Sequence, residues 1–335
     1  MRAIGYTKSL PITEDAALQE FDLAEPIPGP RDLLVEVRAV SVNPVDVKVR
    51  ERAEPENGPK VLGYDASGVV RAVGEQVSLF APGDEVFYAG AIDRPGTNSE
   101  LHVVDERIVG PKPNSVSHSE AAAIPLTAIT AWELLFDRLG IEQGGDGGKV
   151  LLVIGGAGGV GSILIQLARQ LTDLTVIATA SRAETRAWVE QMGAHHIIDH
   201  RADMPSALRE LGLTPNYIAG LTHTQRHFPT IAEMLAPQGK FGLIDDPDPK
   251  AIDVTLIKRK AASIHWEFMF TRSLFQTDDM IEQHKLLDRV AGLVDEGRIR
   301  TTANFDAGTL TAENLRKAHA LQESGCAIGK TTLTL

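Results

Sequence analysis

The sequence predicts an α/β protein in which a doubly wound parallel sheet follows a β-rich region. Three observations carry this expectation. From Leu126 onward, apolar runs alternate with helical patterns, the signature of parallel strands covered by helices on both faces. Between Lys149 and Leu171 a glycine-rich turn joins an apolar strand to an amphipathic helix. Residues 1–124 read instead as short strands bounded by turn formers. At 335 residues the chain exceeds the roughly 250–300 at which one core stops growing, so two domains are expected.

In the β-rich part, Leu33–Val40 alternates apolar and polar residues after the breaker run Pro26-Ile-Pro-Gly-Pro30. Gly68–Gly74 and Asp84–Tyr88 flank a turn at Pro82-Gly83. Beyond the glycine turn, Val160, Ile163, Leu164, Leu167 and Leu171 recur at helical spacing. Strands are then expected at 176–180, 196–199, 217–221 and 240–244, with helices at 183–192, 205–211 and 227–236 between them. Thr277–Glu296 predicts one long helix with Met280, Ile281, Leu287, Val290 and Val294 inward. Residues 299–335 are too few for a domain and are expected to complete the first one. The expected division is therefore 1–125 with 272–335, and 126–271.

Composition narrows the function. A formal net charge of −12, with no basic stripe, argues against a nucleic-acid surface. No apolar run reaches the ~18–20 residues of a membrane span. The first residues read as a strand and not as a signal peptide. Cys326 is the single cysteine, which excludes a disulfide framework and a multi-cysteine zinc site and suggests a reducing cytoplasm.

The glycine turn carries the chemistry. Gly156, Gly158 and Gly161 fit G-x-G-x-x-G, expected to give a tight turn, close approach to a pyrophosphate and close helix–strand packing, in that order. The helix N-terminus that follows, starting with Gly159 and Val160, suits an anionic diphosphate. About 20 residues on, an NAD enzyme carries an acidic residue for the ribose hydroxyls; here Ser181-Arg182 stands instead. Arg182 can pair with a 2′-phosphate, so NADPH is the expected cofactor.

A β-rich domain followed by a nucleotide fold resembles the medium-chain dehydrogenase/reductase superfamily, and within it the quinone oxidoreductases. The resemblance runs through Val42-Asn-Pro-Val-Asp46 with Arg50, Gly63-Tyr-Asp-Ala-Ser-Gly68, Gly74–Val86, Pro125–Trp132, the glycine turn and Gly329-Lys330. His265–Arg272 and Asp245-Asp-Pro247 are similar to the branch called zinc-type alcohol dehydrogenase-like proteins. It implies a GroES-like β-barrel domain beside a Rossmann domain, and a homodimer; Trp266 and Phe268 would lie where the family forms part of the cleft and the dimer interface, or pack in the core. It also implies Asn43, Tyr64 and Thr130 at the nicotinamide and substrate end. Asn43 and Thr130 would orient the carboxamide or bind the acceptor oxygen, and Tyr64 would donate a proton or hydrogen bond or serve as a wall. Asp46 would cap the helix after Asn43. His200 and Thr222 would join the glycine turn in holding cofactor. Lys330 would reach the phosphates or sit on an edge strand.

The superfamily's catalytic zinc uses two cysteines and a histidine. At those positions this chain has Asn43, Tyr64 and Leu126, which do not rebuild a tetrahedral site. His195 and His196, adjacent on an expected strand, point to opposite faces and make a poor chelate. Without a metal to stabilise an alkoxide, hydride transfer to a quinone or α,β-unsaturated carbonyl is the expected reaction. The competing readings are a zinc-dependent alcohol dehydrogenase and a non-catalytic NADPH-binding redox sensor. A short-chain dehydrogenase would need Tyr-x-x-x-Lys, which no tyrosine here provides.

Overall fold

The computed structural model describes all residues, 1–335. Two compact units emerge: Met1–Ile129 with Phe270–Leu335, and Thr130–Met269. The junctions fall four residues after and two residues before the positions expected from sequence.

The first unit is built mainly on strands: β1 (Arg2–Tyr6), β2 (Gln19–Asp22), β3 (Asp32–Val42), β4 (Lys60–Val61), β5 (Ala66–Val73), β6 (Glu85–Tyr88), β7 (Leu101–Asp105) and β8 (Val109–Pro111). Helices α1 (Pro44–Arg52), α2 (His118–Ala122) and α3 (Pro125–Trp132) interrupt or follow them, and the first junction lies inside α3. β1 pairs antiparallel with β2 and β4. The eleven-residue β3 is the spine of the larger sheet, pairing antiparallel with β5 and β7. Its alternation works as expected, with Leu33, Val35 and Val37 buried in a core shared with Ile4, Tyr6, Val70 and Val86.

In the second unit β9 (Val150–Ile154), β10 (Thr175–Thr179), β11 (His196–Ile198), β12 (Tyr217–Gly220), β13 (Lys240–Leu243) and β14 (Ser263–Trp266) form one sheet in the order β11-β10-β9-β12-β13-β14. Every pairing is parallel. Counted from β9, this is 3-2-1-4-5-6, the doubly wound order, whose switch point lies at the carboxyl end of β9. Between the strands run α4 (Gly159–Leu171), α5 (Ala183–Gln191), α6 (Met204–Leu211) and α7 (Thr224–Met234). α7 begins three residues earlier than expected, because Thr224 is anchored through its N–H and hydroxyl to the Asp245 carboxylate.

The chain returns to the first unit through α8 (Thr271–Phe275), α9 (Glu282–Asp295), β15 (Ala303–Thr309), α10 (Ala312–Glu323) and β16 (Lys330–Thr334). The helix expected from Thr277 starts only at Glu282. The Thr277 hydroxyl donates to Asp279, whose other oxygen pairs with Arg272, so local side-chain bonds replace the helical first turn. Inward residues Leu287, Val290 and Val294 are buried as expected. β16 lies between β15 and β3, so Lys330 is on an internal strand and not an edge.

Candidate functional site

In the second unit the site grows from the end of β9. Gly155 has φ +89°, so it takes the positive-φ turn that the motif reading gave to Gly156. Its N–H donates to the Thr179 hydroxyl at 3.0 Å, tying the turn to β10. Gly156 is a packing glycine: a Cβ there would sit 3.0 Å from Ala178 Cβ and 3.3 Å from a Val189 methyl. At Gly161 a Cβ would fall 2.4 Å from the Gly155 carbonyl oxygen, which closes the helix tightly against its own loop.

Gly158 differs. A Cβ would meet no protein atom closer than 3.6 Å, and φ −74°, ψ 175° suits any residue. Nothing in the fold demands glycine here, and its absent side chain leaves the backbone open to close approach by a ligand. The first helical hydrogen bond of α4 runs from Ser162 N–H to Gly158 O, so the preceding N–H groups of Gly159, Val160 and Gly161 are free of intrahelical partners. Gly158, Gly159 and Val160 are half-buried, facing the surface. The Trp188 indole holds the Ser162 hydroxyl at 2.8 Å, fixing the first turn. This cradle fits a dinucleotide pyrophosphate.

Ser181 and Arg182 follow β10 and are half-buried; Arg182 Nε lies 3.3 Å from Glu184. His200 follows β11, with its ring 6.3 Å from that of His227, and burial lowers its pKa below the usual histidine value. Thr222 packs beside the turn, its methyl 3.0 Å from where a Gly155 Cβ would be. The fold thus gathers the glycine turn, Ser181, Arg182, His200 and Thr222 at the carboxyl ends of the central strands. Thr130, on α3, is buried.

The first unit holds a second cluster, and it brings together Asn43, Asp65 and Lys330. Asn43 caps α1: its N–H donates to Asp46 at 2.7 Å, while Pro44 opens the helix without needing a partner. Asp46 also accepts from Gly63 N–H at 2.9 Å, and burial pushes its carboxyl up to about 7. Asp65, fully buried, accepts from Ser41 Oγ, Asn43 Nδ2 and Leu126 N–H, each at 2.8 Å. The Lys330 ammonium donates to Asp65 at 3.1 Å, to Val42 O at 2.8 Å and to Asn43 Oδ1. An ammonium has three N–H groups, and all three are committed here. Lys330 was expected at the cofactor phosphates; this structure instead engages it inside the first unit. Burial pulls its pKa down and that of Asp65 up, and their ion pair opposes both shifts.

Tyr64 stands beside this cluster. Its ring is buried and meets Phe270 edge-on at 5.4 Å, but no group in the structure hydrogen-bonds its hydroxyl. Burial raises the phenol pKa well above the usual value, so it stays protonated and able to donate.

Residues 29–114 match the alcohol dehydrogenase GroES-like domain and residues 159–283 the zinc-binding dehydrogenase family. A zinc-type alcohol dehydrogenase-like protein of Staphylococcus aureus strain COL is 39% identical over 341 residues, covering 100% of both chains. The chain belongs to the medium-chain dehydrogenase/reductase superfamily. Within it, the chain is quinone oxidoreductase-like: an oxidoreductase with a GroES-like domain and a Rossmann-like parallel sheet. A solved Rhizobium etli CFN 42 protein, assigned provisionally as a zinc-dependent alcohol dehydrogenase, is 55% identical with TM-score 0.96, covering 100% of this chain and 98% of that one. The quinone oxidoreductase of Coxiella burnetii is 26% identical with TM-score 0.82, covering 100% and 99%. Members of the superfamily bind NAD(P), which the cradle around Gly158 fits.

The superfamily also implies zinc, and here the residues do not fit. Leu126 offers no donor, and the Asn43 amide is committed to Asp65 and Lys330. Tyr64 would have to lose a proton that burial makes it retain. A lysine ammonium already sits among these groups, and no cluster of three His, Cys, Asp or Glu elsewhere suits a metal.

Proposed function

We propose that this oxidoreductase transfers hydride from NADPH to a quinone or an α,β-unsaturated carbonyl without zinc. The observation that carries the reading is what stands at the three zinc-ligand positions: Asn43, tied to Asp65 and the Lys330 ammonium, Tyr64, a buried phenol that stays protonated, and Leu126, whose side chain has no ligating atom. Such a site lacks a Lewis acid to ionise an alcohol, yet suits an acceptor whose developing negative charge is delocalised and met by hydrogen-bond donors.

The bound cofactor supplies the hydride, from C4 of the nicotinamide; the chain supplies position and a proton. Hydride plus one proton converts a quinone to the hydroquinone, or an enone to the saturated carbonyl. In this reading Tyr64 O–H donates to the acceptor oxygen, and Thr130 orients the reacting groups. Asn43 orients the carboxamide or the acceptor from the start of α1, held there by its bonds to Asp65 and Lys330, while Asp46 on α1 ties the helix to Gly63, the residue before Tyr64. The glycine turn with Gly159, Val160, Ser181, Arg182, His200 and Thr222 binds NADPH, and Arg182 selects the 2′-phosphate. Trp266 and Phe268, 57% and 46% exposed at the end of the outermost strand β14, are the apolar surface we assign to a homodimer. The single free cysteine agrees with a reducing, cytoplasmic setting.

The test is NADPH consumption by protein dialysed against a chelator, across a panel of quinones, enones and aldehydes. Turnover of a quinone or enone that survives chelation is the expected result. Activity that returns only with zinc would restore the alcohol dehydrogenase reading. Tight NADPH binding with no acceptor turned over above background would favour a redox sensor.

A further inference from the structure

The sequence offers one arginine for a 2′-phosphate; the fold brings a second to the same backbone. Arg201 lies in the turn three residues past the end of β11, nineteen positions from Arg182, so no local motif connects them. Its Nη2 donates to the Ser181 carbonyl oxygen at 2.7 Å, the short contact of this side chain. Its bonds to Asp199 are looser, 3.4 Å from both Nε and Nη2. No partner engages Nη1, and the side chain is 58% exposed. Arg186, exposed on α5, reaches the Ala180 and Ile197 carbonyls at 3.3 and 3.4 Å, adding positive charge between the same two strand ends.

Ser181 is the position where a dinucleotide fold meets the adenosine ribose, just past its second strand. Guanidinia therefore flank that position from β10 and from β11, in a protein whose formal net charge is −12. The opposing carboxylates are Glu184, 57% exposed, and Asp199. Asp199 does not hold Arg201 in a short bidentate pair, so that guanidinium keeps an edge available to a dianion.

The geometry points to Arg201 as a second determinant of cofactor choice, gripping the 2′-phosphate of NADPH with Nη1 while Nη2 stays on Ser181. This inference rests on the NADPH reading above. The alternative is a staple that merely ties β11 to β10; that role makes no distinction between a phosphorylated and an unphosphorylated ribose.

Titrations of NADPH and NADH, followed by dihydronicotinamide fluorescence, separate the possibilities in wild type, Arg201→Gln, Arg201→Lys and Arg182→Ala. A charge-assisted bond contributes roughly 1.5–3 kcal/mol, so Arg201→Gln should weaken NADPH about ten- to a hundredfold and leave NADH within twofold. Arg201→Lys should recover part of the loss, and Arg182→Ala should show a comparable selective effect. A wild type with equal affinity for both cofactors overturns both the NADPH reading and this inference. A wild type that prefers NADPH, with Arg201→Gln unchanged or weakening both cofactors equally, overturns the inference alone.

Discussion

Replacing Gly158 with alanine separates what the fold needs from what the ligand needs. The backbone at Gly158, φ −74° and ψ 175°, accepts alanine, and the new methyl meets nothing within the protein closer than 3.6 Å. Alanine is a poorer N-cap than glycine, at a cost of up to about 1 kcal/mol. Against that, a less flexible unfolded chain returns about 0.4–1 kcal/mol. The two nearly cancel, so urea unfolding should be unchanged within about 0.5 kcal/mol. Cofactor binding should not escape. A methyl on the surface that receives the pyrophosphate overpacks the complex by about 1–3 kcal/mol, which raises the Kd about 5- to 150-fold. Gly161→Ala is the contrasting variant, because its Cβ lands 2.4 and 2.6 Å from two carbonyl oxygens. The ~1 kcal/mol gain in helix propensity does not offset that clash, so this variant should lose stability even without cofactor. NADPH binding by Gly158→Ala within twofold of wild type, at unchanged stability, would refute the cradle.

Three further outcomes are expected. Lys330→Met leaves Asp65 fully buried without its cation and should cost about 3–5 kcal/mol in urea unfolding; adding Asp65→Asn should recover most of that, and additive losses would contradict a direct pair. His319, fully buried with neither ring nitrogen bonded, has its pKa lowered from 6.5 to about 3 by burial and then by Arg50. The unfolded chain therefore takes up a proton that the folded one refuses. Stability should fall as pH drops from 6.5 toward 3, by about 1.4 kcal/mol per unit once well below 6.5. That is about 2 kcal/mol lost by pH 5, and the loss should vanish in His319→Leu; an identical pH profile in the variant would dismiss it. Tyr64→Phe should lower kcat about ten- to a thousandfold if the phenol donates in the transition state, whereas a change confined to KM would reduce Tyr64 to a wall.

The local pattern alone determined the class and order of the fold, because hydrophobic periodicity and turn formers act over a few residues. The alternating residues of β3, the apolar β9 and the amphipathic α4 needed no distant contact to be recognised. The G-x-G-x-x-G spacing located the cradle, yet only the backbone angles moved the tight turn from Gly156 to Gly155. The boundaries of α7 and α9 depended on side chains that reach across turns: Asp245 anchors Thr224 and starts α7 early, whereas the Thr277–Asp279 bond competes with the first turn of α9 and delays it. Tertiary structure decided more at the sites. Lys330 looked like a phosphate ligand until β16 was seen threaded between β15 and β3, 288 positions from the Val42 carbonyl it binds. Arg201 carried no signal at all, since the parallel crossover that sets β11 beside β10 is what delivers its guanidinium to Ser181. Residue type states which charges and donors a chain owns; which of them remain free for a ligand is decided by the partners that folding brings within hydrogen-bond reach, because a buried charge left unpaired costs several kcal/mol.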